Sequence, residues 1–131
     1  MRILVVDDDY VSRVKLSTQL SEYGQCDNAP NGEIAVRLFA AAHKEMAPYD
    51  LVTMDIEMPD MSGQATVQAM RDIEQALKQH GVQETKILMV TAKTALKEVA
   101  ESYSQGCNGY LTKPTTSAEI VKALQDLGFQ A

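Results

Sequence analysis

Ile3-Leu4-Val5-Val6 runs straight into Asp7-Asp8-Asp9, and that junction sets the reading of the whole chain. A run of branched apolar side chains without polar alternation suits a strand buried on both faces. Two more runs share the pattern and the abrupt polar ending. Leu51-Val52-Thr53-Met54 stops at Asp55, and Ile87-Leu88-Met89-Val90 stops at Thr91. A briefer run, Gly109-Tyr110-Leu111-Thr112, stops at Lys113-Pro114, and Gln25 to Ala29 reads as a short, weak edge strand.

The stretches between these runs carry helical spacing. Leu16, Leu20 and Tyr23 predict a helix over about 11–23, with Gly24 as its stop. After a turn at Pro30-Asn31-Gly32, Ala35, Leu38, Phe39 and Ala42 form an i, i+3, i+4, i+7 face, and Pro48 is the expected end. Met70, Ile73 and Leu77 mark a third helix closed by Gly81. A short helix spans about Ala95 to Ser104, and Ile120, Val121, Leu124 and Leu127 line the last. Five β-α alternations with short connections predict an α/β fold, a doubly wound parallel sheet covered by helices on both faces.

Composition bounds the function. The chain has 131 residues, 45% hydrophobic and 23% charged, which suits one domain, 1–131. A net charge of −6 opposes direct nucleic-acid binding, which needs a basic face. No stretch approaches the roughly 20 apolar residues of a membrane span, and the start is too short and too acidic for a signal peptide. A cytoplasmic protein is expected, with Cys26 and Cys107 as free thiols. His43 and His80 stand alone in polar contexts and build no zinc site or Ser-His-Asp set.

Parallel strands share one direction, so their carboxyl ends lie on one rim, where open α/β sheets bind ligands. On that rim the fold collects Asp7, Asp8, Asp55, Thr91 and Lys113. Clustered carboxylates repel one another, and a hard divalent cation such as Mg²⁺ offsets the repulsion while leaving positions for phosphate oxygens. An ammonium and a hydroxyl suit the remaining oxygens of a phosphoryl group. The set points to Mg²⁺-assisted phosphoryl chemistry, in which an aspartate can itself be the nucleophile. Asp9 fits a helix N-cap better than a ligand.

These residues resemble the receiver domain of two-component response regulators, over nearly the full chain. The likeness is to a stand-alone receiver of the chemotaxis-regulator type, with no output domain in this chain. It rests on Ile3 to Asp9, Asp50 to Gly63, Ile87 to Ala92 and Gly109 to Pro114 in this order. The resemblance implies a flavodoxin-like (βα)5 sheet in strand order 2-1-3-4-5; that order is not read from periodicity. It implies that Asp55 accepts a phosphoryl group from a histidine kinase or histidine phosphotransfer protein. Asp7 and Asp8 would hold Mg²⁺, with Asp8, Asp55 and the backbone carbonyl of Glu57 as direct ligands. Lys113 would contact a phosphoryl oxygen, and Thr91 and Tyr110 would form the switch. A downstream protein would dock on the fourth helix, fifth strand and fifth helix, around Lys97, Glu98, Glu101, Tyr110 and Thr112. Glu57 and Lys93 occupy positions that tune phosphate lifetime, and a pairing of their charges would slow water attack. Lys113-Pro114 is expected to be cis. The protein would be a monomer or weak dimer, and no enzyme beyond its own phosphorylation and dephosphorylation.

Two other classes compete. Asp7-Asp8-Asp9-Tyr10-Val11 fits the D-x-D-x-[TV] pattern of haloacid-dehalogenase-like phosphatases, with Asp7 as nucleophile and Asp9 as general acid. That reading gives Asp55 no role and leaves only Glu119 and Asp126 for the acidic motif after Lys113. A flavin-binding module would need a phosphate loop rich in Ser, Thr and Gly where three aspartates stand. A receiver that signals without phosphate would not need all five site positions intact.

Overall fold

Five strands and five helices alternate along the chain: β1 (Arg2–Val6), α1 (Tyr10–Leu20), β2 (Gln25–Ala29), α2 (Gly32–Lys44), β3 (Leu51–Met54), α3 (Gly63–Ala76), β4 (Lys86–Thr91), α4 (Leu96–Ser104), β5 (Gly109–Thr112) and α5 (Ser117–Asp126). The structure, a computed structural model, describes residues 1–77 and 84–131. Its sheet is parallel throughout, in the order β2-β1-β3-β4-β5. β1, β3 and β4 hold the interior positions and are buried at nearly every residue, and β2 takes an edge as its polar composition requires.

Alternate residues of each strand face opposite layers. Leu4, Val6, Val52, Met54, Ile87 and Met89 join Ala35, Phe39 and Ala42 of α2 and Val67 and Met70 of α3. Ile3, Val5, Leu51, Leu88 and Val90 join Leu16 and Leu20 of α1 and Ile120, Ala123 and Leu124 of α5. The apolar residues of β1 lie at 0–1% exposure. Burying each contributes about 1.5–3 kcal/mol relative to leaving it in water.

Several element ends differ from the sequence expectation. α1 stops at Leu20, and Ser21 to Tyr23 form a turn in which the Tyr23 N–H donates to the Leu20 carbonyl at 2.9 Å. Gly24 therefore does not end the helix. It lets the chain pass β1, since a Cβ there would lie 2.3 Å from the Met1 carbonyl oxygen. α2 ends at Lys44, short of Pro48. Met46 turns left-handed (φ 62°), and the Ala47 N–H closes back on the Ala42 carbonyl at 2.9 Å. Asn31, expected in a turn, caps α2 by accepting from the Ile34 N–H. His80 and Gly81 lie outside the described residues.

Candidate functional site

The rim at the carboxyl ends of β1, β3, β4 and β5 is built by register. Val6 pairs with Met54, Met54 with Met89, and Thr91 with Thr112, so the residues that follow emerge side by side. Backbone bonds continue the register past the strands: Asp55 N–H donates to the Val6 carbonyl at 3.1 Å, and Lys113 N–H to the Thr91 carbonyl at 2.8 Å.

Carboxylate oxygens of Asp7, Asp8 and Asp55 lie within 4.8 Å of one another. Asp7 and Asp55 are buried, at 2% and 7% exposure, and Asp8 is exposed. The Lys113 ammonium reaches between the buried pair, 2.6 Å from Asp7 Oδ2 and 3.0 Å from Asp55 Oδ2. The other oxygen of Asp7 accepts from the Asp9 N–H at 2.9 Å. Burial raises the Asp7 pKa; the bonds from Lys113 and Asp9 oppose this without cancelling it, and the Asp55 charge adds to it. Burial alone would lower the Lys113 pKa, but the bonds to Asp7 and Asp55 outweigh it, so the amine stays protonated. A dense negative site with one ammonium, opening to solvent at Asp8, suits a divalent cation with oxygen ligands.

Thr91 is buried at 1% exposure, and its hydroxyl accepts from the Lys93 N–H at 3.3 Å. Tyr110 is half-buried and donates its hydroxyl proton to the Lys93 carbonyl at 2.8 Å. The Lys93 ammonium lies 2.7 Å from Glu57 Oε1 and 4.0 Å from Glu98 Oε1. The hydrogen bond and charge of Glu57, with Glu98 adding, raise the Lys93 pKa. Residues named from sequence at the strand ends thus meet on one rim, and the Glu57–Lys93 pair forms. Asp9 is a cap, as expected: its carboxylate accepts from the Ser12 N–H at 3.2 Å and the Ser12 hydroxyl at 2.7 Å. The Lys113-Pro114 bond is cis.

Other contributors come from the loops that flank the strand ends. The loop after Asp55 turns at Asp60 with φ 68°, a left-handed conformation that aspartate tolerates better than most residues. Ser62 caps α3 by accepting from the Ala65 N–H. Gly63 sits where a Cβ would lie 1.9 Å from the Asp55 carbonyl oxygen. The Arg13 guanidinium donates to the Asp7 carbonyl at 2.8 Å, fixing the acidic loop from below. Of these, Gly63 is turn chemistry legible in the sequence and Ser62 before a helical stretch fits a cap, whereas the bond from Arg13 left no cue.

Comparison with known proteins agrees with this geometry. A family model described as the response regulator receiver domain matches residues 3–125. The response regulator protein VraR of Staphylococcus aureus is 32% identical over 126 residues, covering 95% of this chain and 55% of the relative. The chain thus spans about half the length of the curated relatives it matches. Among solved structures, the Vibrio cholerae chemotaxis protein CheY4 is 31% identical with a TM-score of 0.76, covering 95% of each chain. The receiver domain of the Arabidopsis thaliana histidine kinase CKI1, complexed with Mg²⁺ and BeF₃⁻, is 26% identical with a TM-score of 0.82 (96% of this chain, 88% of that one). The receiver domain of the Pseudomonas aeruginosa sensor kinase PA1611, with magnesium coordinated in its active-site cleft, is 25% identical with a TM-score of 0.77 (95% and 93%). Neither the haloacid-dehalogenase-like nor the flavin reading gains support from any of these.

Proposed function

The chain belongs to the response regulator receiver family, a signalling domain of two-component systems, and from that premise we propose that Asp55 is its phosphoacceptor. The observation that carries this is the Lys113 ammonium held between Asp7 and Asp55 beside a carboxylate triad. Asp55 is the carboxylate that joins the triad from the central strand β3 while facing the lysine.

Its Oδ would attack the phosphorus of a phosphohistidine on a kinase or phosphotransfer protein. The O–P bond forms as the P–N bond breaks, and the imidazole leaves with the electron pair and takes up a proton. Lys113 neutralises charge on a phosphoryl oxygen and holds Asp55 oriented. Asp7, Asp8, Asp55 and the Glu57 carbonyl would hold Mg²⁺, which supplies charge neutralisation at the transferring oxygens. The new phosphoryl group adds charge and strong acceptors. The buried Thr91 hydroxyl is the donor set to turn toward it, and Tyr110 follows through the Lys93 loop. The α4-β5-α5 face, with Lys97, Glu98, Glu101, Tyr110 and Thr112, then presents the altered surface to a downstream protein. The protein acts in the cytoplasm as a monomer or weak dimer.

Fluoroberyllate with Mg²⁺ tests this reading without a cognate kinase. NMR resonances of Thr91, Tyr110 and α4 are expected to shift only when both are added, and not at all in Asp55→Ala. Shifts that persist in Asp55→Ala would overturn it.

The Glu57–Lys93 pair sets how long the phosphoryl group survives. The two side chains are 67% and 38% exposed, so solvent screens their attraction. Glu57→Ala and Lys93→Ala are each expected to speed dephosphorylation by about two- to fivefold, the range an exposed pair supports. Unchanged rates in both variants would reject the pairing.

A further inference from the structure

α4 is held to the molecule unlike the other helices. Its one buried residue is Ser102, a polar side chain at 1% exposure. The apolar side chains at its ends face solvent, Leu96 at 85% and Tyr103 at 48%. Among the described residues it is also the helix without a side-chain N-cap bond; Asp9, Asn31, Ser62 and Thr116 supply one to each of the others. A helix that buries so little apolar area and lacks a cap opens at low free-energy cost unless something else ties it down.

That tie is Gln64, the second residue of α3. Its side-chain amide donates to the Glu98 carbonyl at 3.2 Å and to Ser102 Oγ at 3.3 Å. The Ser102 hydroxyl in turn donates to the Glu98 carbonyl at 2.9 Å, closing a triangle across the two helices. The other end of this connection is rigid. The Gly63 N–H donates to the Ile56 carbonyl at 2.9 Å, and the missing Cβ of Gly63 lets the start of α3 sit against the Asp55 carbonyl. Asp55 and α4 are thus joined through Ile56, Gly63 and Gln64 by backbone and one amide. The Lys93 ammonium gives α4 a second, weaker tether through Glu98 at 4.0 Å.

We propose that Gln64 is a positioning residue, the strut through which the loop after Asp55 sets the placement of α4. The strut itself stands on geometry; its response to phosphorylation rests on the function proposed above. Hydrogen exchange read by mass spectrometry tests it on the full chain, with wild type, Gln64→Leu and Ser102→Ala, each with and without Mg²⁺ and an acyl phosphate. Gln64→Leu keeps the side chain's bulk and removes the amide. Without phosphodonor, exchange across residues 96–104 is expected to rise roughly five- to tenfold, the loss of one to two net hydrogen bonds, with α5 unaffected. Ser102→Ala is expected to loosen α4 as well. Adduct formation at Asp55 continues in Gln64→Leu, but the change in α4 exchange that phosphorylation causes in wild type is lost. Exchange in α4 within about twofold of wild type in Gln64→Leu, or a wild-type response to phosphorylation, overturns the strut. If wild type takes no phosphoryl group, the functional reading fails, and the unphosphorylated comparison decides the strut alone.

Discussion

Asp7→Asn is expected to stabilise the protein without metal at neutral pH while removing at least about half of its response to Mg²⁺. Asp7 is 2% exposed, and burial raises its pKa above the ordinary value of 3.8. The unfolded chain therefore releases this proton at lower pH than the folded one does. As pH rises from about that ordinary value through the folded pKa, the unfolded state binds fewer protons than the folded state and stability falls. At neutral pH the folded protein carries the whole penalty of a buried carboxylate beside Asp55. Asparagine keeps an acceptor for the Asp9 N–H and removes the charge, while Lys113 retains its 3.0 Å bond to Asp55. Mg²⁺ works the other way, because a ligand bound only by the folded state stabilises it by mass action. Wild type at about 100 Kd of Mg²⁺ should gain about 2.7 kcal/mol. Altering a group that orients metal ligands weakens affinity about 10–100-fold. At the same concentration the variant should then gain about 1.4 kcal/mol or less. Thermal unfolding with and without Mg²⁺ measures both effects. A metal-free variant that melts below wild type, or one with an undiminished Mg²⁺ response, would contradict the assignment of Asp7.

Gly63→Ala is expected to be the most disruptive glycine-to-alanine change among the described residues. A Cβ at this position would stand 1.9 Å from the Asp55 carbonyl oxygen, 2.7 Å from its carbon and 2.9 Å from Ile56 Cα. All three are backbone atoms, of Asp55 itself and of Ile56, so no side chain can turn aside. Either α3 lifts away, breaking the Gly63-to-Ile56 hydrogen bond, or Asp55 moves off the triad. Overpacking against side chains costs about 1–3 kcal/mol; a clash with fixed backbone should cost at least about 3 kcal/mol. Gly128→Ala is the control. Gly128 has φ +96°, yet a Cβ there meets nothing within 4 Å, so its cost is limited to backbone strain of about 1–2 kcal/mol. Urea unfolding of the two variants separates these cases. Equal losses would show that the close approach at Gly63 is not a constraint.

The contrast between these glycines bears on what the sequence could tell. Asp7, Asp55 and Thr91 were legible because each ends a run of buried residues, Lys113 because it follows a brief half-buried strand, and parallel pairing carries such ends to one rim. The strands themselves were legible because β1, β3 and β4 bury both faces and so lose all polar alternation. Gly24 looked like a helix stop, but its constraint comes from Met1, across the β1–β2 pair. No local pattern reports such an approach. Met46 ends α2 in a left-handed turn with a side chain ill suited to it, so Pro48 looked like the breaker. The strut at Gln64 was equally hidden, since an amide that bonds a distant carbonyl leaves no spacing or composition cue.

Intact-mass spectrometry after incubation with Mg²⁺ and a small acyl phosphate tests the central assignment most directly. Wild type, Asp55→Ala and Asp7→Ala are run side by side. Wild type should gain a single phosphoryl group only with Mg²⁺ present, and Asp55→Ala should gain none. An adduct that survives loss of Asp55 but disappears with loss of Asp7 would contradict the account and make Asp7 the nucleophile.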